Sequence, residues 1–325
     1  MMRGNLLLLI DIGNTYAKLA LFDRNFYMLG KAKVSLDEVK AVLIKDGAAK
    51  RGGYGANEKV RNLIDNAMIS IIKQAEALGV DLTLNTGSDS KQLDSIFISS
   101  VVEWMNLVIS EYIEIRFGIL PRFLGCDNHN LEVEASISKH LGSDLIAAAV
   151  GALDLYQADC IIVNCGTATT FSLIKTISQN EIKGKIGRFV GCLITPGIYS
   201  GFSGLISRAQ ALPMPWLNYA GNHMYGGRDP KLCDAMELNS EAPNCFYGTD
   251  TIDAMQKGGY YGFLAMVEGV IARLTSHFDK KPIVVLTGGS LNTFHKNDLE
   301  IFDAIDPLLV MKGLYYLATH ITGEI

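Results

Sequence analysis

The sequence predicts an α/β fold built as two domains, and three observations carry that expectation. The chain has 325 residues, 49% of them hydrophobic, whereas a single hydrophobic core stops growing at about 250–300 residues. Strand-like apolar runs alternate with amphipathic helical patterns in both halves. One strand–turn–strand pattern occurs twice, as Leu9-Ile10-Asp11-Ile12-Gly13-Asn14-Thr15 and as Ile162-Val163-Asn164-Cys165-Gly166-Thr167-Ala168-Thr169-Thr170, which an internal duplication explains. The expected domains are residues 1–156 and 157–325.

The elements follow in order. Leu6 to Ile10 reads as a strand, the Gly13-Asn14 turn closes it, and Ala17 to Phe22 returns as a hairpin. Residues 45–55 are glycine-rich and basic, a solvated loop. Val60, Leu63, Ile64, Ala67, Met68, Ile71, Ile72 and Ala75 recur at helical spacing and predict an amphipathic helix over 60–78. Segments 96–102 and 113–119 read as strands separated by a short helix, and 143–156 is an alanine-rich helix with Asp144 in its first turn. Cys160 to Val163 and Thr170 to Ile174 are strands around the turn 164–167. A Pro196-Gly197 turn, a polar loop over 213–250, a long helix over 251–278 and a strand over 283–286 complete the pattern.

Composition narrows the function classes. With a net charge of −5 and no basic stripe, the chain lacks the footprint of a protein that binds nucleic acid or an anionic membrane. A small-molecule ligand is the expectation. The Leu6–Ile10 run is cut by Asp11 and is too short for a signal peptide core, and no stretch reaches the roughly 20 apolar residues of a spanning helix. A cytoplasmic protein with no membrane association is expected. The 6 cysteines form no C-x-x-C pair and have no histidine at metal-ligand spacing, so they read as free, packed thiols.

The chemistry concentrates in the repeated turns. A glycine flanked by hydroxyl and amide side chains lets backbone N–H groups converge on a phosphate, because no Cβ blocks the approach. Gly13 with Asn14 and Thr15 fits this, and so does Gly166 with Thr167, Thr169 and Thr170. Asp11, just ahead of the first turn, is suited to hold Mg²⁺ while the metal neutralises phosphate oxygens. Either motif alone is an ordinary turn. Two at the ends of equivalent strands predict a cleft lined from both sides. Thr287-Gly288-Gly289-Ser290 follows a strand and would let a base or ribose approach the backbone, or is a plain strand-to-helix turn. Asp144 is either a helix-capping residue or a general base that takes the proton of an attacking hydroxyl.

Together these residues resemble the type III pantothenate kinases, also labelled Bvg accessory factors. The resemblance runs through Asp11-Ile12-Gly13-Asn14-Thr15 with Lys18, Ser99-Ser100-Val101-Val102, Gly142-Ser143-Asp144, Gly166-Thr167-Ala168-Thr169-Thr170 and Thr195-Pro196-Gly197. It continues through Thr251 with Ala254 and Gly258, Thr287-Gly288-Gly289, and Lys312-Gly313-Leu314. It implies the actin-like and sugar-kinase fold, a duplicated ribonuclease H-like unit with a cleft between domains. It also implies a homodimer with sites at the subunit interface. The implied activity is ATP-dependent phosphorylation of pantothenate to 4'-phosphopantothenate, the first step of coenzyme A biosynthesis, with Mg²⁺ and a monovalent cation (K⁺ or NH₄⁺).

In that scheme Asp144 is the base and Asp11 organises the metal. Gly13, Asn14, Thr15, Lys18, Gly166, Thr167, Thr169 and Thr170 hold phosphates, and Thr287, Gly288 and Gly289 hold the adenosine. Gly142, Ser143 and Leu145 line the acceptor pocket, and Thr251 is presented to the partner subunit's substrate.

The sequence departs from the family on the acceptor side. The family's Gly-x-Asp-Arg reads Gly142-Ser143-Asp144-Leu145, and its tyrosine before that glycine aligns with Ala135. A leucine cannot bind a carboxylate. The aspartate expected ahead of Gly166 is Asn164, which keeps a carbonyl oxygen for a cation but not the charge that would hold it tightly, and Ser172 replaces an acid. These departures leave two alternatives beside pantothenate phosphorylation: a kinase for a different small hydroxylated acceptor, or a nucleotide-binding regulator.

Overall fold

A computed structural model describes residues 6–45, 58–80, 93–125, 128–133, 141–177, 184–209, 211–213, 246–291 and 294–320. The chain forms two compact units. One comprises residues 1–157, 174–190 and 308–325, the other residues 158–173 and 191–307.

The first unit opens with β1 (Leu6–Ile12), β2 (Tyr16–Asp23) and β3 (Met28–Ser35), followed by α1 (Leu36–Lys45) and α2 (Glu58–Ala77). Then come β4 (Leu93–Ser100), α3 (Glu103–Phe117), β5 (Arg122–Phe123), β6 (Leu131–Val133) and α4 (Ser143–Tyr156). Its sheet runs β3-β2-β1-β4-β5. β1 pairs antiparallel with β2 and parallel with β4, so the chain crosses over between β3 and β4 through helices. All of β1 is buried, as a central strand covered on both faces must be. Leu6, Leu8, Ile10 and Ile12 join the core made with α1, α2 and α3. Alternation along the strand turns Leu7, Leu9 and Asp11 to the opposite face.

The remaining elements are β7 (Cys160–Cys165), β8 (Ala168–Thr176), β9 (Gly187–Pro196), α5 (Ile198–Arg208), α6 (Thr251–Thr275), β10 (Ile283–Gly288), β11 (Ala304–Ile305) and α7 (Leu309–His320). Their sheet runs β11-β10-β7-β8-β9-β6. Read from β9 inward, this is the order of the first sheet again, with β6 added at the edge. β7 pairs parallel with β10 as β1 does with β4. The duplication expected from the two turns is therefore one of whole sheets. The fold is the duplicated ribonuclease H-like arrangement of actin-like and sugar-kinase proteins.

Segment 113–119 is a correction. It is the end of α3 and its left-handed cap Gly118, not a strand. Met105, Val108, Ile109, Tyr112 and Ile113 are all buried, a helical stripe whose β-branched and aromatic residues imitate a strand when read locally. The edge strand β3 and the strand β9 escape the pattern reading because lysines interrupt one and much of the other is exposed. The loops expected over 45–55 and 213–250 fall almost wholly outside the described residues.

In the first unit α7 packs on α4 and on β1. The two helices meet at bare backbone. A Cβ on Gly313 would lie 1.7 Å from the Ala147 carbonyl oxygen, and one on Gly151 would lie 2.5 Å from that of Leu309. No described helix is long and apolar enough to cross a membrane.

Candidate functional site

The hairpin and the crossover bring a row of polar residues together in the first unit. In register, Asp11 stands opposite Lys18 on β2 and Ser99 on β4. Neighbours in register share a face, so the spacing from Asp11 to Lys18 across the turn is what aligns acid and base. Lys18 Nζ lies 3.4 Å from Asp11 Oδ2. Asp11 is only 5% exposed, and its Oδ1 is buried without a hydrogen-bond partner among the described residues. Burial raises its pKa above the ordinary carboxylate range, opposed by Lys18 and Ser99. A buried, unpartnered carboxylate oxygen is what a hard cation takes as a ligand, so Asp11 fits Mg²⁺.

The start of α4 supplies the second carboxylate. Gly142 is the N-cap and has no side chain to cap with. A Cβ on Gly142 would meet Asp144 Oδ1. Burial first, and the Asp11 charge second, push Asp144 up to about 6, against the backbone N–H groups of Leu145 and of Asp144 itself, which favour its ionised form. A like charge nearby disfavours the ionised form, which is how Asp11 raises the proton affinity of Asp144.

Ser143 does not project toward solvent. Its Oγ accepts from Ser100 N–H at 2.8 Å, bonds the Ser100 carbonyl at 3.0 Å, and meets Ser99 Oγ at 3.0 Å. Leu145 is buried, and Ala135 lies outside the described residues. The sequence pattern assigns no separate role to Ser99 and Ser100. Their position at the C-terminal end of a parallel strand is the signal that could have found them.

The two turns are each closed by the glycine N–H, over three residues in the first and two in the second. Gly13 N–H donates to the Tyr16 carbonyl and Gly166 N–H to the Ala168 carbonyl, each at 3.0 Å. In both, an added Cβ would meet that same carbonyl oxygen at 3.7 Å, an ordinary contact. Internal packing therefore does not require these glycines. Asn14 and Thr167 are exposed beside them, while Thr15 is half-buried.

In the second unit, Thr287 stands in register with Asn164 and Gly288 with Cys165, so the sequence's second phosphate turn and its adenosine motif are neighbours. Asn164 beside Thr287 is the counterpart of Asp11 beside Ser99. Gly288 has φ +113, and a Cβ there would lie 2.2 Å from the Cys165 carbonyl oxygen and 2.7 Å from Asn164 Oδ1. Ser290 N–H donates to the Cys165 carbonyl at 2.9 Å, and Gly197 N–H to the Thr167 carbonyl at 3.0 Å. Thr195 Oγ1 donates to the Thr169 carbonyl at 3.2 Å. Thr169 is fully buried, and Thr170 Oγ1 is buried without a partner among the described residues. Gly289 is exposed. Thr251 begins α6 behind its N-cap Asp250 and lines an open depression with Pro213, Asp253 and Gln256. Burial pushes the Cys165 and Cys160 thiols up to about 12, which makes them packing groups and not nucleophiles.

Residues 7–273 match the family model for type III pantothenate kinase. The chain belongs to the type III pantothenate kinase family. A type III pantothenate kinase of Halalkalibacterium halodurans is 32% identical over 231 residues, 71% of this chain and 78% of that protein. Another, from Bacillus cytotoxicus, is 31% identical over 226 residues, 69% and 74% respectively. Among solved structures, the ethanolamine utilization protein EutJ of Carboxydothermus hydrogenoformans aligns with a TM-score of 0.45 and 12% identity over 96% of this chain and 89% of that one. Within this type III pantothenate kinase family member, no group of three His, Cys, Asp or Glu side chains among the described residues is arranged to hold a metal. An ion held jointly by Asp11 and a phosphate needs no such cluster.

Proposed function

We propose that the protein transfers the γ-phosphoryl group of ATP to the primary hydroxyl of pantothenate. The observation that carries this reading is the pair of carboxylates on the first unit: Asp11 with its buried Oδ1, unpartnered among the described residues, and Asp144 pushed up to about 6. A base with a pKa just below neutral is ionised at working pH yet retains proton affinity. Asp144 takes the hydroxyl proton as the hydroxyl oxygen forms its bond to the γ-phosphorus. The bond from that phosphorus to the β–γ bridging oxygen breaks, and ADP leaves.

Asp11 would hold Mg²⁺, which supplies charge neutralisation at the phosphate oxygens. The Gly13 and Gly166 N–H groups are taken up inside their turns, so Asn14, Thr15 and Thr167 at the turn tips would offer donors to phosphate, with Lys18 adding a cation. Thr287 to Gly289 receive the nucleoside. Asn164 brings no charge to its turn, so this reading assigns no monovalent cation there. A homodimer with Thr251 presented across the interface, and the division into domains at residue 156, complete the proposal.

ADP release measured with pantothenate, with Asp144→Asn as control, tests it. Turnover that depends on pantothenate and falls at least ~100-fold in the control supports the assignment. Absence of pantothenate-dependent turnover removes it. A second reading keeps the same chemistry on an uncharged acceptor. It is favoured by the buried, donor-less Leu145, where a carboxylate has nothing to pair with. Faster turnover of pantetheine than of pantothenate in the same assay selects it.

A further inference from the structure

The Ser99, Ser100 and Ser143 cluster joins the two carboxylates, although the chemistry above uses none of its hydroxyls. Ser99 is fully buried and Ser143 is 7% exposed. Buried hydroxyls away from solvent must find protein partners, and these find each other and the end of β4. Ser143 is the first residue of α4 and grips both the N–H and the carbonyl of Ser100. Ser99 touches the Ser143 hydroxyl on one side and stands in register beside Asp11 on the other.

Each hydroxyl has one proton and two lone pairs, which limits the patterns this cluster can adopt. Ser143 Oγ receives the Ser100 N–H, so its own proton goes to the Ser100 carbonyl or to Ser99. When it goes to Ser99, the Ser99 proton is left to turn toward Asp11, its neighbour in register. When it goes to the Ser100 carbonyl, Ser99 donates back to Ser143 and not toward Asp11. In both cases the first turn of α4 is fastened to the strand beside Asp11.

We propose that Ser99 and Ser143 are positioning residues: through the end of β4 they fix where α4 begins, and so where Asp144 stands relative to Asp11. The inference rests on the assignment of Asp144 as the base. Ser143→Ala changes neither Gly142 nor Asp144 but removes the grip on Ser100. Displacement of a catalytic group by about 1 Å can cost ~100-fold in rate, so the expected effect is a kcat lower by ~10- to 100-fold with KM for ATP within ~2-fold.

The test combines kinetics and amide exchange on the full chain. In Ser143→Ala, exchange of the Ser100 N–H is expected to accelerate at least ~10-fold, with the middle of α4 unchanged. Ser143→Thr, which keeps the hydroxyl, is expected to retain kcat within ~3-fold, and Ser99→Ala to lose part of it. In an Asp144→Asn background, Ser143→Ala is expected to have no further effect on residual turnover, as a residue acting only through Asp144 requires. An equal loss in that background, an equal loss in Ser143→Thr and Ser143→Ala, or an unchanged Ser100 exchange overturns the proposal. If the wild type shows no pantothenate-dependent turnover, the function reading fails separately. The bridge then stands or falls on Ser100 exchange and on whether a crystal structure of Ser143→Ala shows Asp144 displaced.

Discussion

The Asp144 carboxylate lies over the bare Cα of Gly142, so closely that a Cβ there would sit 2.6 Å from Oδ1. The backbone of Gly142 is ordinary, with φ −62 and ψ 138, so the glycine is required by the neighbouring carboxylate and not by a left-handed conformation. The group in the way is the far end of a side chain, which can move.

Gly142→Ala is therefore expected to leave stability within about 1 kcal/mol of wild type, helped by the stiffer unfolded chain, while turnover falls ~10-fold or more as Asp144 is displaced. Urea unfolding alongside ADP-release kinetics checks both. Loss of stability and activity in step would contradict it.

Asp144 binds its proton more tightly in the folded protein than in the unfolded chain, since its pKa rises from 3.8 to about 6. Its contribution to stability is full below pH 3.8 and is lost as pH rises through about 6. Asp144→Asn has no such dependence. Without metal, the variant is expected to gain on wild type between about pH 4 and pH 7.5 by up to about 3 kcal/mol, because a tenfold difference in proton affinity between folded and unfolded chains is worth about 1.4 kcal/mol. Parallel pH–stability curves for the two proteins would show that Asp144 is not strained. Pantothenate turnover is expected to fall on the acid side through the same region.

Gly313→Ala is expected to force α7 away from α4, because the obstructing atom is the Ala147 backbone oxygen, 1.7 Å from the new Cβ. Backbone cannot rotate away as a side chain can. A loss of about 3 kcal/mol or more is expected, read as a lower urea midpoint. A midpoint within error of wild type would mean that the helices part without penalty.

The thiols of Cys160 and Cys165, pushed up to about 12 by burial, are expected to resist alkylation at pH 8 in the native state and to react on unfolding. The half-buried Cys192 is expected to react first. Peptide mapping after timed alkylation distinguishes them, and early labelling of Cys165 would mean that the second turn opens readily.

Much of the site is legible in the sequence because its determinants are local. A glycine turn between two strands, an acid just before it and a lysine at the matching place on the returning strand are all set by hairpin register. The repeat of that pattern announces the duplicated fold. The first turn of α4, with Gly142 and Asp144, is equally local. Segment 113–119 misleads because tyrosine and isoleucine satisfy a strand pattern over a few residues and a helical stripe over more.

The sequence by itself determined which residue types are available for phosphate, metal and proton, and that one supersecondary unit occurs twice. Only the tertiary structure decided that Ser99 stands beside Asp11 and that Ser143 is turned inward to β4. It likewise decided that Thr287 sits against Asn164 and that α7 packs on α4 in the first unit. The reason is physical: parallel strand register and the close crossing of two helices at Gly151 and Gly313 are made between segments far apart in the chain. No local spacing encodes which of them will be neighbours.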